Sequence, residues 1–258
     1  MLNLRLGQTK EVGSLPEGLD ESTWKGVIEE LERTIPYYER VNHLITLGHS
    51  GKMRRVLIEI SDLKAGDVVL DAGCGPGNMS ELIIEKIRPG GRLICLDPLQ
   101  SMLNEAHRNL SKYSGSGVNL EFRKGRFEDI PLDDECLDAV ITSYSFRDAV
   151  DRESALKEFR RTLKKGGKFL MLDLTKPDIK QLSLMVGFYI KWIVPPLSKI
   201  FYPMGMRSPW NALHITYEKM LTSLELVNLI GKYFRIEKVE KAMFGTFTAV
   251  KAIKLGKS

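Results

Sequence analysis

Three cysteines in 258 residues, Cys74, Cys95 and Cys136, are too few, too widely spaced and odd in number for a disulfide framework. There is no CxxC pair and there are only four histidines, so no metal-ligand cluster is read. A reducing, cytoplasmic compartment is expected. The charge is nearly balanced, 38 basic against 33 acidic groups for a net +5. No basic run interleaves with aromatics, which excludes a nucleic-acid groove. The start of the chain lacks a charged leader followed by a long apolar core, so no signal peptide is expected. Long hydrophobic runs are missing too. The greasiest stretch, Gln181 to Met206, is cut by Lys191 and by Pro195-Pro196 before it reaches the ~20 residues a membrane span needs. It reads as an amphipathic cap over an apolar pocket, or as a surface lying on a membrane.

What is present is an alternation. Helical spacing of Trp24, Val27, Ile28, Leu31 and Ile35 follows Asp20, and a second helix is read over 53–60. Strands are read at 68–71, 92–97, 118–123, 137–143 and 168–174, with helices at 78–88, 99–112 and 151–165, the last capped by Asp151. A helix after Tyr217 to about Lys232 and two closing strands, 233–239 and 244–253, complete the reading. Alternating strands and helices imply an α/β fold, doubly wound around a parallel sheet. Residues 1–60 form an N-terminal helical extension or lid. Residues 61–258 form the core, with a cap insertion at about 178–216. Parallel strands bring Asp71, Asp97, Gly125, Ser143 and Asp173 to one rim, where such sheets bind ligands.

The rim begins with Asp71-Ala72-Gly73-Cys74-Gly75-Pro76-Gly77-Asn78. No Lys-Ser/Thr follows, so this is not a P-loop. Asn78 stands where the dinucleotide pattern needs its last glycine. Gly73, Gly75 and Gly77 let a ligand approach the backbone, and Asn78 is placed to cap the next helix. A ligand carboxylate suits that helix start, and an ammonium suits Asp71. Asp97, ending the second strand, is placed to accept two ribose hydroxyls. Met102 either packs on a flat base or belongs to the core. An amino-acid end, a ribose and a base together describe S-adenosyl-L-methionine.

The run LDAGCGPGNMSELI, with Leu96-Asp97-Pro98 at the second strand, resembles the class I S-adenosylmethionine-dependent methyltransferases. Ser143 to Asp151 (SYSFRDAVD) resembles the SFGLRNVxD segment of the ubiquinone/menaquinone biosynthesis C-methyltransferases. LKKGGKFLMLDLTKP resembles their LKPGGxLLxLEFSKP, and Tyr37 to Gly48 their YDxxNxxxSxG entrance helix. The resemblance implies a mostly parallel seven-stranded sheet, S-adenosylmethionine as cofactor with S-adenosylhomocysteine as product, and methylation of a ring carbon on a prenylated quinol. Pro98, Arg126, Phe127 and, from the rim, Ser143 are further candidates for cofactor contact.

Departures are concrete. Glu39 and Asp148 replace the family's aspartate and asparagine. Arg126 stands where the acid that meets the adenine amino group is usual, and it cannot accept that hydrogen bond. The Phe127 amide and Glu128 are the substitutes expected. Trp210 to Tyr217 replaces the family's tyrosine-rich tail, which keeps open another small lipophilic acceptor methylated at oxygen, nitrogen or carbon. Three catalytic assignments follow. Arg147 stabilises an oxyanion or forms an ion pair with Asp148 or Asp151. Asp148 accepts a proton or serves the turn. Tyr38 orients a hydroxyl or closes the lid. His214 is read as surface or packing. A homodimer and peripheral contact with the inner face of a membrane are further expectations. A nicotinamide oxidoreductase and a non-catalytic cofactor-binding protein are the competing classes.

Overall fold

The computed structural model describes residues 18, 20–26, 42–43, 46, 48–198 and 217–256. Tyr38, His214 and most of the entrance and tail motifs lie outside them. The elements are α1 (His49–Glu59), β1 (Val68–Ala72), α2 (Asn78–Ile87), β2 (Arg92–Asp97), α3 (Gln100–Leu110), β3 (Asn119–Lys124), β4 (Leu137–Ser143), α4 (Arg152–Thr162) and β5 (Leu163–Leu174). They continue with α5 (Lys180–Phe188), a wider turn over Tyr189–Ile193, α6 (Val194–Ser198), α7 (Ser223–Gly231), β6 (Arg235–Ala242) and β7 (Phe247–Ile253).

The seven strands form one sheet in the order β3-β2-β1-β4-β5-β7-β6. β1 to β5 run parallel, and β7 lies antiparallel between β5 and β6. Alternate residues of each strand feed opposite faces, as a period of two requires. Leu70, Ile94 and Val140 pack on one side with α4 and α7. Val69, Leu93 and Ile141 pack on the other with α1, α2 and α3. The central strands therefore carry apolar side chains on both faces, as strands covered on both sides do, with buried polar residues such as Asp71, Asp97 and Thr142 near their C-terminal ends. On the first side a chain of rings crosses the core. Phe127 meets Phe159 at 5.7 Å, Phe159 stacks on Phe169 at 5.4 Å, and Phe169 on Phe234 at 4.8 Å.

Several boundaries differ from the sequence reading. α1 begins at His49, four residues before the expected start. α4 ends at Thr162 rather than 165, because Leu163 already pairs with Leu137. The register then jumps to Ala139 beside Lys168, and Gly166 absorbs the bulge at φ 75°. α7 starts only at Ser223, behind a reciprocal cap in which Glu225 N–H donates to Thr222 Oγ1 and Thr222 N–H donates to the Glu225 carboxylate. The last two strands are separated by the turn Met243–Gly245, not by residues 240–243. Asp151 caps α4 as expected, accepting from the amides of Glu153 and Ser154 at 3.0 Å.

Candidate active site

The C-terminal ends of β3, β2, β1 and β4 stand side by side, and one elongated crevice of about 970 Å³, its open mouth included, runs across them. Gly73, Gly75, Asn78, Asp97, Pro98, Met102, Arg126, Phe127, Ser143 and Asp148, all chosen from the sequence, line it.

The loop after β1 needs its glycines for separate reasons. Gly73 sits at φ 71°, and a Cβ there would lie 2.4 Å from Ser145 Oγ and 2.9 Å from the Phe127 ring. At Gly75 a Cβ would meet nothing within 4 Å, so the backbone stands open. Asp97 ties the loop to β2: its Oδ2 accepts the Gly75 amide at 2.9 Å and its Oδ1 the Leu99 amide at 3.0 Å. Burial pushes the Asp97 carboxyl up to about 6.

Other assignments are corrected. Asp71 does not reach the crevice wall. It is fully buried, and its Oδ2 accepts the Ser80 hydroxyl at 2.5 Å. Burial pushes it up to about 7, against the lowering effect of that bond. Through Oδ2 it holds β1 to α2 beneath the loop, while its Oδ1 is buried with no hydrogen-bond partner among the described residues. Gly77, at φ 92°, occupies the cap of α2 and faces Leu110, so Asn78 is the first helical residue rather than the cap. Arg147 turns to Asp173 at 3.0 Å, with Asp148 at 3.7 Å; Asp151 is occupied as the α4 cap. The ion-pair alternative therefore describes its geometry. Glu128 lines the crevice but spends Oε1 on the amides of Val150 and Asp151. The Cys74 thiol is pushed well up by the adjoining Cys95 thiol and by burial, which leaves it a packing group.

Three wall residues carried no sequence signal. Trp24 was indistinguishable from the apolar stripe of its helix. Arg54, on α1, reaches the crevice, and its guanidinium lies 5.1 Å above the Tyr144 ring. Tyr144 itself holds φ 61°, a costly conformation for a bulky residue. That twist presents its ring to the crevice, while its hydroxyl donates to the Ser50 carbonyl at 3.1 Å.

The two buried acids give a pH prediction. An acid whose folded pKa exceeds its unfolded value binds its proton more tightly in the folded chain. Stability from Asp71 is thus highest near pH 4 and falls as pH rises toward about 7. We expect Asp71→Asn to flatten this slope by up to about 1.4 kcal/mol per pH unit. Chemical denaturation of both proteins between pH 4.5 and 7.5 checks it; parallel curves would refute it.

The crevice fits an amino-acid nucleoside. Ser143 Oγ is buried on the wall with no hydrogen-bond partner among the described residues, ready for a polar ligand group, and the open Gly75 backbone lines the same crevice. Asp97 stands at the next strand end, and Met102 and Phe127 add apolar wall to the crevice. This order of strands, with a reversed strand near one edge and such a crevice, is that of the S-adenosylmethionine-dependent methyltransferases, and the chain is one of them. A SAM dependent methyltransferase from Aquifex aeolicus shares the fold with a TM-score of 0.57 at 19% identity, over 78% of this chain and 89% of that one.

Within that class, the model of the ubiE/COQ5 methyltransferase family matches residues 19–205, and the chain belongs to this family. It is 31% identical to a chloroplastic 2-phytyl-1,4-beta-naphthoquinone methyltransferase of Arabidopsis thaliana, over 76% of this chain and 75% of that protein. To a ubiquinone/menaquinone biosynthesis C-methyltransferase UbiE of Pasteurella multocida it is 30% identical, over 63% of this chain and 60% of that one.

Proposed function

We propose that the protein transfers a methyl group to a ring carbon of a prenylated quinol. The observation that carries this is a second, open cavity, about 1110 Å³ with the solvent space at its mouth included, walled almost wholly by apolar side chains including Leu182, Val186, Ile190, Met220 and Phe247. It abuts the cofactor crevice where the Phe247 ring meets the Tyr144 ring edge-on at 6.2 Å. An isoprenoid tail fits the cavity, and its head group then lies beside the crevice. The relatives named for quinone substrates support the same class of acceptor.

S-adenosylmethionine supplies an electrophilic sulfonium methyl; the protein must align the acceptor and raise its nucleophilicity. Removing the phenolic proton does the latter. Asp148 lines the crevice, and burial raises its carboxyl above the usual range while Arg147 opposes the rise. A carboxylate so tuned is a better proton acceptor. Arg147, fixed by Asp173, keeps a positive charge beside it and beside the phenolate that forms. Tyr38 is the proposed hydroxyl-orienting residue of the lid.

The tail reaches the cavity from a bilayer in this reading. α5 and the wider turn after it are apolar on both sides: Leu182 and Val186 face the cavity, Leu184, Phe188 and Trp192 are 60–67% exposed, and Met185, also 67% exposed, sits at the cavity's border. Lys180 and Lys191 flank that outer side with no acid between 179 and 198, a pattern suited to an anionic lipid surface. No helix among the described residues is long and apolar enough to cross a membrane.

The test is incubation with methyl-labelled S-adenosylmethionine and a total lipid extract. Label in a methylated quinone is expected; label in another lipid would favour the second acceptor class, and no label would refute the proposal. With the quinol in hand, Asp148→Asn should cut turnover more than tenfold while S-adenosylhomocysteine affinity stays within about threefold. Turnover within twofold would place the proton acceptor elsewhere.

A further inference from the structure

Arg126 is the residue that the reaction chemistry leaves unexplained. It follows β3, the outermost of the four strands under the crevice, one step beyond Asp97, so it stands at the base end of the nucleoside site. An acid there would read the purine's amino group; a guanidinium has no acceptor with which to do so. Nor is it an anion hook. Its NH1 lies 3.0 Å from the Glu21 carboxylate and its Nε 3.6 Å from that of Glu128, so its charge is already balanced. What it does offer is a flat face, and that face is backed: the guanidinium carbon lies 4.3 Å from the centre of the Trp24 ring.

Trp24 comes from the far N-terminal side, and several contacts pin its segment there. A Cβ on Gly18 would fall 2.1 Å from the Val150 carbonyl oxygen, so the chain passes Val150 backbone to backbone, which only glycine permits. Asp20 caps the helical residues 21–26 by accepting from the Thr23 amide at 2.9 Å, and it also pairs with Lys219 at 2.8 Å. Glu21 holds Arg126. Each of these long-range anchors is more than one hundred residues away in sequence, and together they lay residues 18 and 20–26 along the outer wall of the crevice.

We propose that Trp24 and Arg126 form the base subsite as a stacked pair: the purine is gripped on the face of a guanidinium that Trp24 backs and Glu21 and Glu128 hold in plane, in place of an acid reading its amino group. Planar cations stack on flat π-systems. Phe127, rooted in the core, supplies the opposing wall. The inference concerns the cofactor alone and does not depend on which acceptor is methylated.

The experiment uses the full chain with Trp192→Phe and Trp210→Phe, leaving Trp24 as its only tryptophan, and S-adenosylhomocysteine as probe. Binding by the unaltered chain, measured first by calorimetry, separates failure of this inference from failure of the cofactor assignment. Saturating probe should quench or shift Trp24 emission. Trp24→Ala and Arg126→Ala should each weaken binding about tenfold, and the double variant little more than either, since the two act as one stack. Arg126→Lys should lose most of the affinity and Trp24→Phe should keep it within about threefold, which guards against an alanine variant that fails to fold. Emission indifferent to the probe, alanine variants binding within twofold of the parent, or tighter binding by Arg126→Asp would each overturn the proposal.

Discussion

Asp97→Ala should abolish practical use of the cofactor: affinity for S-adenosylhomocysteine is expected to fall by about 100-fold or more. The carboxylate does two things at once. It accepts the amides of Gly75 and Leu99, fixing the glycine loop and the start of α3, and in our reading it holds the ribose diol. Hydrogen bonds to a charged group contribute about 1.5–3 kcal/mol each, and removing the shared acceptor orphans both amides. Asp97→Asn should sit between parent and alanine variant, since its one carbonyl oxygen cannot serve every donor. There is a pH signature as well. With its carboxyl at about 6, the free protein carries a neutral Asp97 below that pH, so affinity should rise through pH 6 and level off above it. Calorimetric titrations from pH 5 to 8 measure both; an alanine variant within tenfold of the parent, with an unchanged pH profile, would refute the assignment.

Asp173→Ala is the change expected to cost most in stability, about 3–5 kcal/mol. Asp173 is 2% exposed and accepts three hydrogen bonds, from the Arg147 amide at 2.8 Å, the Arg147 guanidinium at 3.0 Å and its neighbour Leu174 at 2.8 Å. Breaking a buried pair from one side takes from Arg147 its nearest buried carboxylate and leaves Asp148, at 3.7 Å, as a weaker counterpart. The turn that Asp173 holds also delivers Asp148 to the crevice, so turnover should fall with stability. Asp173→Asn, which retains an acceptor for the Arg147 amide, should recover part of the loss. Denaturant midpoints decide the matter, and an alanine variant destabilised by less than about 1 kcal/mol would show the pair to be incidental.

These two aspartates also show what the sequence could and could not reveal. Asp97 was legible because its meaning is local: a buried strand ending in an acid, after a glycine loop one unit earlier. Gly73, Gly75 and the Asp151 cap were legible for the same reason. Asp173 could be placed on the rim but not paired with Arg147, because that contact joins two strand ends 26 residues apart. Asp71 misled because its sequence setting is that of a ligand-binding acid, and only the approach of Ser80 shows that its carboxylate turns inward. Trp24, Arg54 and Tyr144 depend on contacts between distant segments or on one unusual dihedral angle, and no period or motif encodes either. The early end of α4 was hidden by a bulge that only pairing with β4 creates.

The row of rings from Phe127 to Phe234 has a further consequence. It makes the Phe127 wall of the proposed base subsite continuous with the interior, so any change of shape there must be absorbed by the packed body around it. The other side, the Arg126 guanidinium, is backed by a short length of chain laid on from outside. Tinkering with nucleoside preference, by selection or by an engineer, therefore has one tolerant point of entry, the segment bearing Trp24, while the opposite surface is kept constant by the needs of folding itself.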